Sequence, residues 1–192
     1  MPRLLSPATL AGYAAAVVVV LLVAFFSYRS QQASVSGGER VAHTLETMRQ
    51  IQAVLSVMKD AETGQRGYLI TGDELYLAPY TRAASELRAQ LDALNEAVAG
   101  NPAQESRTAA VATLAEQKMV ELAETIAQRR AGNLQAATDL VKSDRGRVSM
   151  DRLRALLAEM QTDERRSFDR QRAAADEASS FTLNFTLASS TV

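Results

Sequence analysis

The residues whose types and spacing could do chemistry lie in one stretch, 59–80, which reads KDAETGQRGYLITGDELYLAPY. Asp60 and Glu62 are the raw material of a general acid–base pair. Two apart on a helix they face different directions, so they are set aside as a catalytic centre. Gly64 and Gly67 invite comparison with a phosphate-cradling loop. Yet no glycine precedes Lys-Ser or Lys-Thr at P-loop spacing, and Gly64-x-x-Gly67 does not match the dinucleotide fingerprint. A zinc or di-iron bundle needs histidines and carboxylates at fixed helical spacing. The single histidine is His43, and the residue three before it is Arg40. No metal and no cofactor are expected, nothing points to a Ser-His-Asp triad, and the chain is not expected to be an enzyme.

The elements that must position this stretch are helices. In its 192 residues, Ala, Leu, Glu, Gln and Arg dominate, with no Trp, which favours helix throughout. A net charge of −1, with bases scattered among acids, gives no reason to expect a nucleic-acid partner. The absence of Cys removes disulfides, thiolate metal sites and a thiol nucleophile.

Residues 8–28, ATLAGYAAAVVVVLLVAFFSY, carry no charge. A helix of about 20 residues rises roughly 30 Å, the thickness of a bilayer's hydrocarbon core. The run is too long for a signal-peptide core and lacks a small-x-small cleavage site. A retained transmembrane helix in contact with membrane lipid is therefore expected, after an N-terminus at 1–7. Arg3 against Arg29 and Arg40 leaves its orientation undecided. Ala8, Gly12 and Ala16 form a small-xxx-small stripe that fits helix packing or chance equally well.

Beyond the anchor, Val41, Leu45, Met48, Ile51, Leu55 and Met58 recur in steps of three and four, the stripe of an amphipathic helix. Gly37–Gly38 is where this helix would bend or loosen from the anchor. Thr71-Gly72-Asp73 ends it, with Gly72 as a positive-φ stop and Asp73 as a cap. Pro79 suits the first turn of the next helix, which is striped by Ala84, Leu87, Leu91, Leu94 and Val98. Asn101, Pro102 and Gln104 read as N-cap, N1 and the return arm of a capping box. The third helix carries Val111, Leu114, Leu122 and Ile126 and stops at Gly132-Asn133. A short piece, LQAATDLVK, precedes a break at 143–146 and a last helix bearing Met150, Leu153, Leu157, Met160 and Phe168, to about 178. The fold expected is all-α: an antiparallel four-helix bundle over 29–178 with a short extra helix before the last long one. Residues 179–192 are expected to begin a second span cut short at Val192, a frayed tail being the other reading. No output domain follows in the chain as given.

Extending the first stripe through the central stretch brings Glu62 and Gln65 onto the seam. Gly64 and Gly67 each cost about 0.8–1 kcal/mol relative to alanine within a helix, so each needs a reason. One is close approach of another backbone. The other is room for a polar layer of Glu62, Gln65 and Arg66 that fixes register or switches between two arrangements. Antiparallel packing about the Gly72 turn places Arg82 near the level of Glu62. Counting back from the returning membrane end at about 1.5 Å per residue brings Arg145 or Arg147 to a similar height. One of these arginines is expected as the ion-pair partner of Glu62. Tyr68, Tyr76 and Tyr80 read as packing residues of the outer corner, with ligand contact as the alternative.

The run Asp60-Ala61-Glu62-Thr63-Gly64-Gln65-Arg66-Gly67-Tyr68-Leu69-Ile70-Thr71-Gly72, with Tyr76-Leu77 and Pro79-Tyr80, resembles the signature of the third class of CHASE domains. These are extracellular sensory domains associated with cyclases and histidine kinases. The likeness covers roughly 31–178 and departs from the family's pattern in lacking a second full span and signalling domains. It implies an all-helical domain outside the bacterial cytoplasmic membrane, which sets the orientation of the anchor. It also implies an input role for a histidine kinase, cyclase or chemoreceptor, and it supplies no ligand. The expected function is a homodimeric sensory input module that relays a stimulus by helix displacement to a cytoplasmic signalling domain missing from this chain. The alternative is a membrane-tethered structural or interaction bundle without output.

Overall fold

Helix-forming residues fill the long spans, and each break between them holds a residue with positive φ: Gly72, Gly100, Gly132 or Asp144. The computed structural model describes residues 7–189. Helix α1 runs Pro7–Thr71, a 3-10 turn covers Glu74–Leu77, and α2 is Ala78–Ala97. Then come α3, Pro102–Arg130, α4, Leu134–Lys142, and α5, Arg145–Ser189. The short extra helix before the last long one is therefore α4. Gly37–Gly38 does not interrupt α1. Gly72 ends α1 with φ 72° and donates its N–H to Tyr68 O at 2.8 Å. Only a residue without Cβ takes that conformation at no steric cost. Asp73 then caps the 3-10 turn by accepting from Leu75 N at 2.9 Å, and Pro79 sits in the first turn of α2.

The described residues fall into two compact units, His43–Arg170 and the remainder of the chain on either side of it. In the second unit, residues 8–28 are helical within α1 and residues 179–189 within α5. Many side chains of the first run and all of the second lie outside the described residues, as do residues 1–6 and 190–192. Both membrane expectations fall largely there. Among the described residues, no helix is long and apolar enough to cross a membrane.

His43–Arg170 has one main apolar core. Ile51, Val54 and Met58 of α1 meet Leu87, Leu91 and Leu94 of α2, Val111 and Leu122 of α3, and Met150, Leu153, Leu157 and Met160 of α5. Each fully buried side chain of this size contributes about 1.5–3 kcal/mol, so packing rather than propensity holds these helices. Several stripe positions differ from expectation. On α2 the inward alanine is Ala83, while Ala84 is exposed, because Tyr80, seated against Gly64, fixes the rotation of the helix. Leu45 is 53% exposed and Thr44 and Thr47 are buried instead. The α2 end supplies the reason: Thr47 Oγ1 donates to Ala97 O at 3.1 Å, satisfying a helix-end carbonyl that leucine could not. Leu114 and Phe168 are half-buried.

The α3 cap also departs from the expected box. Asn101 Oδ1 accepts from Gln104 N at 3.4 Å, but the return arm is Glu105, which accepts from Gly100 N at 2.8 Å. The Gln104 amide is committed elsewhere, donating to Met160 O at 3.3 Å and Glu164 Oε1 at 3.1 Å. Asn101→Ala is expected to cost about 1 kcal/mol in urea unfolding, with an unchanged denaturant slope.

Candidate functional site

Glu62 lies one turn before Arg66 on α1 and is buried, as is Gln65. A carboxylate in that position needs partners, because an isolated buried charge is far costlier than a paired one. It has three: Arg66 Nη2 at 3.0 Å, Lys118 Nζ at 3.6 Å and Arg154 Nη2 at 3.4 Å. Lys118, on α3, also holds Glu121 Oε2 at 2.8 Å, and both side chains are more than nine-tenths buried. Thr125 completes the group by donating to Glu121 O at 2.8 Å and Oε1 at 3.4 Å. Two carboxylates thus enclose one buried ammonium, while the longer arginine side chains reach in from the rim.

Gly146 makes room for this layer at the start of α5. A Cβ there would collide with Glu121 Oε2 and Lys118 Nζ. The charged tips lie directly against the α5 backbone.

The expected partners of Glu62 are corrected. Arg82 is exposed, Arg145 pairs with Glu124 at 2.9 Å, and Arg147 pairs with Asp144 and Asp151 at 2.9 and 3.4 Å. The arginine of α5 that reaches Glu62 is Arg154, two turns beyond Arg147. A count of residues along α5 does not carry its register against α1, and the observed register sits two turns further along α5.

Lys118, Glu121, Thr125 and Gly146 were not singled out from the sequence. One signal was present: the apolar stripe of α3 passes from Leu114 to Leu122 with a turn missing, and Lys118 fills the gap. Gly146 looked like part of a break, yet it is inside α5.

The glycines of the motif have a different task from the charge layer. A Cβ on Gly64 would lie 2.7 Å from the backbone N of Tyr80, and one on Gly67 would lie 2.8 Å from Tyr76 Cδ1. They permit the chain that returns into α2 to press on α1. Tyr68 is buried with Leu77 and Ile126, and Tyr80 packs beside them. Tyr76 is half exposed, while Asp60 and Thr63 face solvent.

At the outer corner, two arginines from the end of α3 clasp the turn. Arg129 Nε donates to Leu69 O at 3.1 Å, and its guanidinium covers Gly72. Arg130 donates to both oxygens of Glu74, at 2.8 and 2.6 Å. This bidentate pairing holds the Glu74 carboxyl below the usual carboxylate range. Being exposed, the pair adds geometry more than stability.

A four-helix core, a signature turn and a charge layer beneath it define the class of fold, an all-helical bundle. The family model for the CHASE3 domain matches residues 38–174, and the chain belongs to that family. It is also similar to the crystal structure of the Rhodopseudomonas palustris histidine kinase HK9 sensor domain. The two are 27% identical with a TM-score of 0.59, over 65% of this chain and 97% of that one. No curated protein matches the chain.

Proposed function

We propose that this chain is the extracytoplasmic input module of a bacterial transmembrane receptor, anchored through residues 8–28 and working as a homodimer. Its output partner is a histidine kinase, cyclase or chemoreceptor signalling domain. Membership of the CHASE3 family and likeness to a kinase sensor domain support the sensory role. The observation that carries the mechanism is the layer of Glu62, Lys118, Glu121 and Arg154, which joins α1, α3 and α5 by charge inside the bundle. Packed interfaces with such a layer switch between discrete arrangements rather than deforming smoothly, and α1 continues unbroken toward the anchor. Fusion of the chain to a kinase output domain in membranes tests this. Glu62→Gln and Arg154→Gln should change basal output at least several-fold while the bundle stays folded by circular dichroism. Unchanged output from folded variants would leave the tethered interaction module as the better reading. Ile70 and Leu75, both more than four-fifths exposed at the outer turn, are what favours that alternative.

The dimer reading has a stripe of its own. Beside the buried stripe of α1, the positions Val41, Leu45, Met48, Gln52 and Leu55 repeat in steps of four and three, the spacing of a coiled-coil seam. They are half-buried or exposed within one chain. Single cysteines at Leu45 and Met48 are expected to cross-link between chains efficiently, whereas a cysteine at the buried Thr47 is not. Equal yields at all three positions would remove this seam.

A further inference from the structure

The four long helices of His43–Arg170 are not held to one another equally. Between α1 and α2, Gly64 and Gly67 let Tyr80 and Tyr76 into close contact, and Thr47 bonds Ala97 O. The α3–α5 seam has the most direct ties. Gln104 donates to Met160 O within the core, Arg107 reaches Asp163 at 2.7 Å, Arg145 reaches Glu124 at 2.9 Å, and Gly146 rests on the Lys118–Glu121 pair. Helices α2 and α3 are joined covalently by a capped turn at 98–101. The Arg129 and Arg130 clasp ties α3 to the outer end of α1 and to the 3-10 turn.

The α1–α5 seam differs. Among the described residues, its directional contacts are Gln52 Nε2 to Gln161 Oε1 at 3.2 Å, exposed, and Arg154 Nη2 to Glu62 Oε2 at 3.4 Å, part-buried. The core side of that seam, Ile51, Val54 and Met58 with Leu153, Leu157 and Met160, is apolar contact, which is non-directional and tolerates sliding. Sliding α5 past α3 by a turn would instead bring Ser149 or Met150 to the place of Gly146, where even a Cβ collides with the buried charges. Arg154 belongs to the α3–α5 half and Glu62 to the α1–α2 half.

We infer that the bundle is two locked helix pairs, α1–α2 and α3–α5, hinged along α2–α3 and the outer clasp. The α1–α5 seam is the one that opens, and the Glu62–Arg154 contact is its latch. Release of the latch frees α1 and α5 to part at the end away from the Gly72 turn, while the Lys118–Glu121 pair stays with α3. This device deepens the sensory reading by naming the moving seam, and it can be tested without any output domain.

The chain contains no Cys, so paired cysteines can carry spin labels at exposed positions with no background. Ser56 with Ala158 reports on α1–α5, Lys59 with Ser85 on α1–α2, and Thr113 with Arg152 on α3–α5, all six being exposed. Pulsed electron–electron distances on the whole chain in lipid should show one narrow distribution for each pair in the parent. With Arg154→Gln added, the Ser56–Ala158 distribution should shift outward by several ångströms or split, and the other two should stay narrow. Glu62→Gln should do the same. Three distributions that all broaden would overturn the device, because the layer would then hold the bundle as a whole. An α1–α5 distance unchanged in both variants would overturn it too, by showing that the latch holds nothing. Either result leaves the sensory reading to the kinase fusion, whose failure would be seen in output and not in distance.

Discussion

Lys118→Met lowers the unfolding free energy of His43–Arg170 by roughly 3–5 kcal/mol, the cost of removing one partner from a buried ion pair. The ammonium is the only cation within the layer that is itself buried: Arg66 and Arg154 approach Glu62 from the rim, and Glu121 has Lys118 and a threonine hydroxyl. Methionine keeps an unbranched side chain only one atom shorter, so the loss measured is mainly that of charge rather than of volume. It would appear in urea unfolding followed by circular dichroism as a large fall in midpoint at an unchanged slope. The companion variant separates this cause from poor packing. Lys118→Met with Glu121→Leu removes the stranded carboxylate and should recover most of the stability, since replacing both members of a buried pair by apolar residues is often neutral or better. A double variant as unstable as the single one would show that the layer acts through shape, not charge. Recovered stability with altered output in a receptor fusion would mean the layer is retained for switching at a cost in stability.

Legibility in the sequence followed from how local each feature is. The Gly72 stop, the Asp73 cap and Pro79 in the first turn of α2 depend on residues within a few positions, and local sterics determine them. The apolar stripes of α2 and α5 were readable because period alone places one face inward. Thr44 and Thr47 displacing Leu45 was not readable, because the demand comes from a carbonyl at the end of another helix, Ala97. The same holds for Glu62. Its place on the seam follows from the period of α1, whereas its partners depend on the register between α1 and α5. That register is a property of how the helices pack, and the turn into α5 at Asp144, with φ 60°, lies far in sequence from Glu62. Lys118 lay between the two cases: the gap it fills in the α3 stripe was visible, and its neighbours were not.

Gly64→Ala and Gly38→Ala, the same substitution in the same helix, are expected to have opposite signs. At either site alanine gains about 1 kcal/mol of helix propensity over glycine. Around Gly38 a new Cβ would meet nothing within 4 Å, so that gain stands, and amide exchange in the adjoining turns of α1 should slow by up to about fivefold. At Gly64 the Cβ would lie 2.7 Å from the backbone N of Tyr80 and 3.2 Å from Tyr76 O. Backbone cannot rotate aside as a side chain can, and Pro79 stiffens that first turn of α2. The helices must separate, and overpacking of this kind typically costs 1–3 kcal/mol, which outweighs the propensity gain. The net loss expected at Gly64 is about 1–2 kcal/mol in urea unfolding. Gly67→Ala should fall between the two sites, because its obstruction is the half-exposed Tyr76 ring, at 2.8 Å, which can turn toward solvent. The order Gly64, Gly67, Gly38 from most to least destabilised therefore separates close approach of a backbone from a need for flexibility. Were flexibility what the glycines supply, all three alanine variants would stiffen α1 alike and Gly64→Ala would unfold no earlier than the parent chain.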